Sequence, residues 1–188
     1  MKSYYQEDLS FNSFEVALRE FEKDPDVKTI VCLLSDISGE HLSYLNDCFL
    51  NTKKSLIGGV FPGLIYNSQQ KETGAVFIGL DYELEMQLID LVDEDEVYDQ
   101  VERLVTISEE ADAQSIMVFV DAFAEHKSEF VQVLYENYGN SINYIGGGCG
   151  SLDMVSKPAV ISNNMESHPF NSFLFSAAKY NVEPPGSV

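Results

Sequence analysis

The sequence predicts an α/β fold with a mixed sheet, in the form of two pseudo-repeats of strand–helix–strand–strand packed as an α/β sandwich. Three observations point to it. Two continuous apolar runs, Thr29 to Leu34 and Ser115 to Val120, read as buried strands. Each is followed by a polar loop and an amphipathic helical stretch. Each stretch then leads into a second extended segment that carries Ile-Gly-Gly, at Ile57-Gly58-Gly59 and at Ile145-Gly146-Gly147. Ile30 to Ser35 aligns with Ile116 to Asp121 at one constant offset, and the glycine segments align at an offset two residues larger. A small insertion within the second unit accounts for the difference.

The elements follow in order. Residues 12–24 form the first predicted helix, with Phe14, Ala17, Leu18 and Phe21 at helical spacing and a capping-box pattern from Asn12 to Glu15. Asp24-Pro25-Asp26 ends it. After the strand at Thr29, Ser35 to Gly39 loops into a helix running from Ser38 to about Leu50. Ser55 to Val60 is a strand interrupted by Gly58 and Gly59, and Leu64 to Tyr66 continues extended. Ala75 to Leu80 and Leu84 to Leu91 are strands joined by a turn at Asp81-Tyr82-Glu83. A helix covers about 94–110, with Val97, Val101, Leu104 and Val105 inward and acidic residues in its first turn. The second unit repeats the order: strand at Ser115, helix over about 125–138 closed by Gly139, strand at Asn143 to Ile145, then a glycine turn, Gly146 to Gly150. Pro158 to Ser162 and Ser172 to Ala178 are late strands, and Asn163 to Pro169 is turn-like. The chain reads as one domain over 1–180, with repeats of about 12–92 and 93–180 and a tail at 181–188.

Composition excludes several classes. Hydrophobic residues make up 45% of the 188, enough for a sizeable core. The net charge of −20 argues against nucleic acid and against anionic membrane surfaces, both of which need basic patches. Apolar runs such as Ile116 to Val120 are too short to span a bilayer, and the first residues lack the apolar core of a secretory signal. Ten acidic residues crowd between Asp81 and Glu102, which reads as a solvated face. Cys32, Cys48 and Cys149 have no metal-site or disulfide spacing, so no metal is expected and the cytoplasm is the expected compartment.

The chemistry-bearing candidates lie at strand ends. Exposed N–H groups in a glycine turn form a concavity for anions or for close backbone contact, which singles out Gly147, Gly148, Cys149 and Gly150, with Ser151 and Asp153 beside them. Architectural need is the competing reading, because Gly58-Gly59 occupies the equivalent place. Ser35, Asp36 and Asp121 end the repeated strands, where open α/β sheets bind ligands. Cys149 as a nucleophile would need a base, and no spacing brings His126 or His168 to it, so an enzyme is not expected.

Leu56 to Gly63 followed by Thr73 to Leu80, and later Tyr144 to Asp153, resemble the two glycine segments of the FIST N-terminal sensory domain family, in order and spacing. Cys149 stands where that family usually has a small residue. The resemblance spans about residues 15–180. It implies an intracellular sensory domain that binds a small molecule, an amino acid among the proposed ligands, and that passes a signal to an output domain or partner protein. It also implies two alternatives: a haem-based gas sensor using His41, His126 or Cys149, and an adaptor whose acidic 81–102 stretch meets a basic partner. No resident cofactor is expected under the first reading.

Overall fold

The computed structural model describes residues 1–36, 45, 47–90, 96–103, 115–155, 159–163 and 172–178. The described strands are β1 (Lys2–Gln6), β2 (Thr29–Ser35), β3 (Ser55–Phe61), β4 (Leu64–Tyr66), β5 (Gln69–Lys71), β6 (Ala75–Leu80), β7 (Glu85–Asp90), β8 (Ser115–Asp121), β9 (Asn143–Cys149), β10 (Val160–Ser162) and β11 (Ser172–Ala178). The helices are α1 (Phe11–Lys23) and α2 (Lys127–Tyr138), with further helical residues at 47–50 and 96–103.

The strands form two mixed sheets, β1-β6-β2-β3-β10 and β7-β11-β8-β9, and a separate β4-β5 hairpin. Each large sheet contains one parallel pair, β2 with β3 and β8 with β9, and its remaining neighbours are antiparallel. The parallel pairs require a crossover, which the intervening helices supply. β10 departs from the local order. It follows β9 in the chain yet pairs with β3, with Val160 opposite Gly59 and Ser162 opposite Ile57. Asn163 fixes it there, accepting from the Leu56 N–H at 2.8 Å and donating to the carbonyls of Thr52 and Lys54 at 2.9 and 2.7 Å.

Side-chain alternation sets the layers. On one face of the first sheet, Phe77 of β6 meets Phe14 and Phe21 of α1, with ring centroids 5.1 and 5.9 Å apart. Cys32, opposite Phe77 in the ladder, shares that face. The amphipathic stripe of α1 (Phe14, Ala17, Leu18, Phe21) is therefore spent on this sheet. Lys54, at the start of β3, donates to the Phe21 carbonyl at 2.9 Å and to that of Asp24, closing the helix end with a cation. On the other face, Phe61 of β3 meets Phe119 of β8 at 6.2 Å. Along β8, Ile116 and Val120 turn the opposite way, onto Phe130, Val133 and Leu134 of α2 and Val97 and Val101. The order of layers is helix, sheet, sheet, helix, and the two sheets share the first core, which takes in Phe119 and Cys149. Each fully buried Phe or Leu there contributes roughly 1.5–3 kcal/mol.

Several local expectations change. The glycine turn is strand: Gly146, Gly147 and Gly148 lie within β9, in parallel register with Val118, Phe119 and Val120. Gly58 and Gly59 likewise sit inside an unbroken β3. Periodicity misses both because glycine contributes no alternation. α1 begins at Phe11 with Ser10 as N-cap, not at the Asn12 pattern. The Asp8 carboxylate organises that turn, accepting from the Ser10 N–H and from the Ser10 and Ser13 hydroxyls, and these bonds hold its pKa low. β1 and the β5 arm of the hairpin carry no sequence signal strong enough to predict. The helix expected from Ser38 is described only in part, as is the 94–110 helix. His41, His168, the rest of the 163–169 turn and the tail at 181–188 lie outside the described residues.

Candidate functional site

Two places bring chemistry-bearing residues together. The first is the carboxyl end of the parallel strands, where most of the sequence-derived candidates converge. Asp36, just beyond β2, accepts a hydrogen bond from the Leu152 N–H at 2.9 Å, so its carboxylate ties the two halves of the chain. The Gly150 N–H donates to the Val60 carbonyl at 2.9 Å across the same junction. Asp121 ends β8 opposite Cys149 and accepts from the Phe123 N–H at 2.9 Å, turning the chain towards α2. Ser151 is buried, donates to the Val155 carbonyl at 3.0 Å and also bonds the Asp153 carboxylate. Ser35 is fully buried, and its hydroxyl has no partner among the described residues. Gly147 and Gly148 lie further back along β9 on an exposed strand, apart from this cluster. The donors and acceptors here are largely occupied by one another.

Cys149 belongs to the core. A Cβ placed on Gly59 would overlap its Sγ, so β3 and β9 touch through glycine and sulfur. Burial, reinforced by the nearby Asp121 carboxylate, pushes the thiol pKa from 9.0 up to about 12. Burial first, then Glu15 and Asp47, pushes Cys48 up to about 11, and burial raises Cys32. A thiolate, the reactive form, is thus disfavoured at all three. In the unfolded chain these thiols ionise near pH 9, whereas in the native state they remain protonated. The stability that the protonated thiols contribute is therefore fully present below pH 9 and is lost progressively from pH 9 towards 12. Urea midpoints at rising pH should fall across that window, and replacing Cys149 with Ala should flatten the fall. Among the described residues, no three His, Cys, Asp or Glu side chains converge as a metal site requires. His126 is the N-cap residue of α2 without a side-chain cap bond.

The second place lies at the amino end of the same strands, between the sheets. A cavity of about 230 Å³ is lined by Met1, Leu80, Asp81, Tyr82, Leu84, Ser115, Met117 and Ile145. Ser115, Met117 and Ile145 are the first and third residues of β8 and the third of β9, so alternation aims Met117 and Ile145 inward, on the Phe119 side of the sheet. Leu80 ends β6, and the turn after it supplies Asp81 and Tyr82. The wall is mostly apolar, and its polar side chains are the Asp81 carboxylate and the Tyr82 and Ser115 hydroxyls. No sequence motif marks these residues. The available pointer was the alternation itself, which leaves Met117 and Ile145 on the inner face of a strand pair whose other inner positions include glycine.

Two mixed sheets face to face between helices, with a small cavity between them, define an α/β sandwich domain. Residues 33–170 match the FIST N domain family, and the chain belongs to that family of sensory domains. No curated protein matches the chain. Among the described residues no helix is long and apolar enough to cross a membrane.

Proposed function

We propose that this domain senses a small molecule with an apolar body and an amino group, of amino-acid size, held in the cavity between the sheets. The observation that carries the reading is the composition of that cavity: Leu80, Leu84, Met117 and Ile145 offer an apolar surface, and Asp81 and Ser115 offer a carboxylate and a hydroxyl for a cationic head. Its 230 Å³ exceeds the roughly 150 Å³ that admits a benzene ring and suits a ligand of modest size. The carboxyl-end cluster of Ser35, Asp36, Asp121, Cys149, Gly150, Ser151 and Asp153 then acts as the junction that holds the two sheets in register. Binding between the sheets shifts the balance of their arrangements, and a partner or output domain reads the shift. The domain works in the cytoplasm without a resident cofactor and without catalysing a reaction. Support for these points comes from the three free, buried cysteines and their suppressed ionisation.

A thermal-shift series with apolar amino acids and their decarboxylated amines tests this. At a hundred times the dissociation constant the complex gains about 2.7 kcal/mol. For a chain of this size that raises Tm by roughly 5–10 °C. Met117→Trp, which fills the cavity, should abolish the shift, and Asp81→Asn should weaken the amines most. A melting temperature that stays flat across the whole series overturns the proposal.

A further inference from the structure

The geometry points to β9 as a docking edge, which takes up an extended segment of a partner protein as an added antiparallel strand. β9 is the outer strand of the four-stranded sheet, and no described strand lies beyond it. Residues 143–148 are exposed along their whole length, with Tyr144 and Ile145 at 42% and 54%. Its sequence, Asn-Tyr-Ile-Gly-Gly-Gly-Cys, contains no charge and no proline, the devices that normally blunt an edge.

The first sheet shows what such an edge accepts. β3, Ser-Leu-Ile-Gly-Gly-Val-Phe, runs parallel to β2 as β9 runs parallel to β8, with Gly58 and Gly146 each the fourth residue of its strand. The outer side of β3 is covered by β10, antiparallel, with Val160, Ile161 and Ser162 opposite Gly59, Gly58 and Ile57. The corresponding positions on β9 are Gly147, Gly146 and Ile145. A Cβ on Gly147 would meet nothing within 4 Å, so a side chain laid across it has room. Strand addition at that register sets partner residues beside Ile145 and Gly147 on one face and beside Tyr144 on the other. Backbone hydrogen bonds supply the affinity, and alternate side chains supply the selectivity.

The segment that fits is short and extended, with β-branched or other apolar residues at its centre and Lys or Arg at its flanks. The flanks follow from charge: the chain carries −20, Asp81 shares the cavity wall with Ile145, and the exposed Asp153 follows β9 closely. The same charge disfavours a second copy as the occupant, since two such chains repel. The inference does not depend on the ligand reading, because among the described residues no strand covers the outer side of residues 144–148, whatever the cavity holds.

The probe is a synthetic peptide, Lys-Lys-Ala-Val-Ile-Ser-Asn-Lys-Lys, added to the whole chain and followed by fluorescence anisotropy and amide hydrogen exchange. Binding should slow exchange at least tenfold within residues 144–148. N-methylation of alternate amides in the peptide should abolish both signals, and Tyr144→Lys, at an exposed position outside the cavity lining, should weaken binding tenfold or more. The proposal is overturned if millimolar peptide gives no protection at 144–148, or if the N-methylated peptide binds equally well. Sedimentation showing a dimer that Tyr144→Lys dissolves would also overturn it, by making a second copy the occupant.

Discussion

Replacing Gly58 or Gly146 with Ala should cost on the order of 4 kcal/mol, a large part of the roughly 5–15 kcal/mol that holds such a domain folded. At both sites a Cβ would lie 2.7 Å from the carbonyl carbon of the residue directly opposite in the parallel ladder, Cys32 or Val118, and closer still to its oxygen. The backbone there turns its Cβ direction into the neighbouring strand instead of out of the sheet. No rotamer relieves such a clash, because the obstacle is backbone on both sides. Gly146 adds a φ of +134°, which L-residues rarely adopt and which costs a further 1–3 kcal/mol or so. Its neighbour Gly147 has free space, and the Gly147→Ala variant should stay within about 0.5 kcal/mol of the parent. Chemical denaturation of the three variants checks the contrast. Equal stability of Gly146→Ala and Gly147→Ala would refute the ladder geometry described here.

A second large effect is expected between the sheets. Gly59→Ala drives a methyl into the Cys149 sulfur, with Ala159 carbonyl oxygen 3.2 Å away on another side, and should cost about 2–3 kcal/mol by overpacking. Cys149→Ala removes the sulfur and leaves a small void, for a loss of about 1–2 kcal/mol. Combined, the two changes should recover 1 kcal/mol or more relative to their sum, because the new methyl occupies the vacated space. Additive losses would mean that β3 and β9 do not meet at this point. The experiment bears on function as well, since this contact fixes the separation of the sheets that enclose the cavity.

Much of the fold was legible. The runs at Thr29 and Ser115 are strands because β-branched and aliphatic residues without interruption suit sites buried on both faces, and α1 and α2 follow their apolar stripes. What periodicity could not reveal was decided by long-range pairing. β1 is a polar edge strand that exists because β6 offers it a partner. β10 could be read as a strand, yet nothing local assigns it to β3 in preference to its chain neighbour β9. For the candidate site the limit was different. Glycine-rich sequence signals a backbone constraint without saying whether a ligand or another strand imposes it, and at Gly58 and Gly146 it is another strand. The cavity residues are ordinary hydrophobes whose meaning comes only from the two sheets being apposed.

The placement of β10 has a consequence for biosynthesis. A ribosome delivers β1, β2, β3 and β6 long before it delivers Val160 to Asn163, so the flank of β3 must wait without its covering strand while the second half emerges. During that interval the nascent chain displays a bare, uncharged ribbon, the type of surface that attracts neighbouring polypeptides on a polysome. Translation speed through the second half thus sets how long that ribbon stays uncovered.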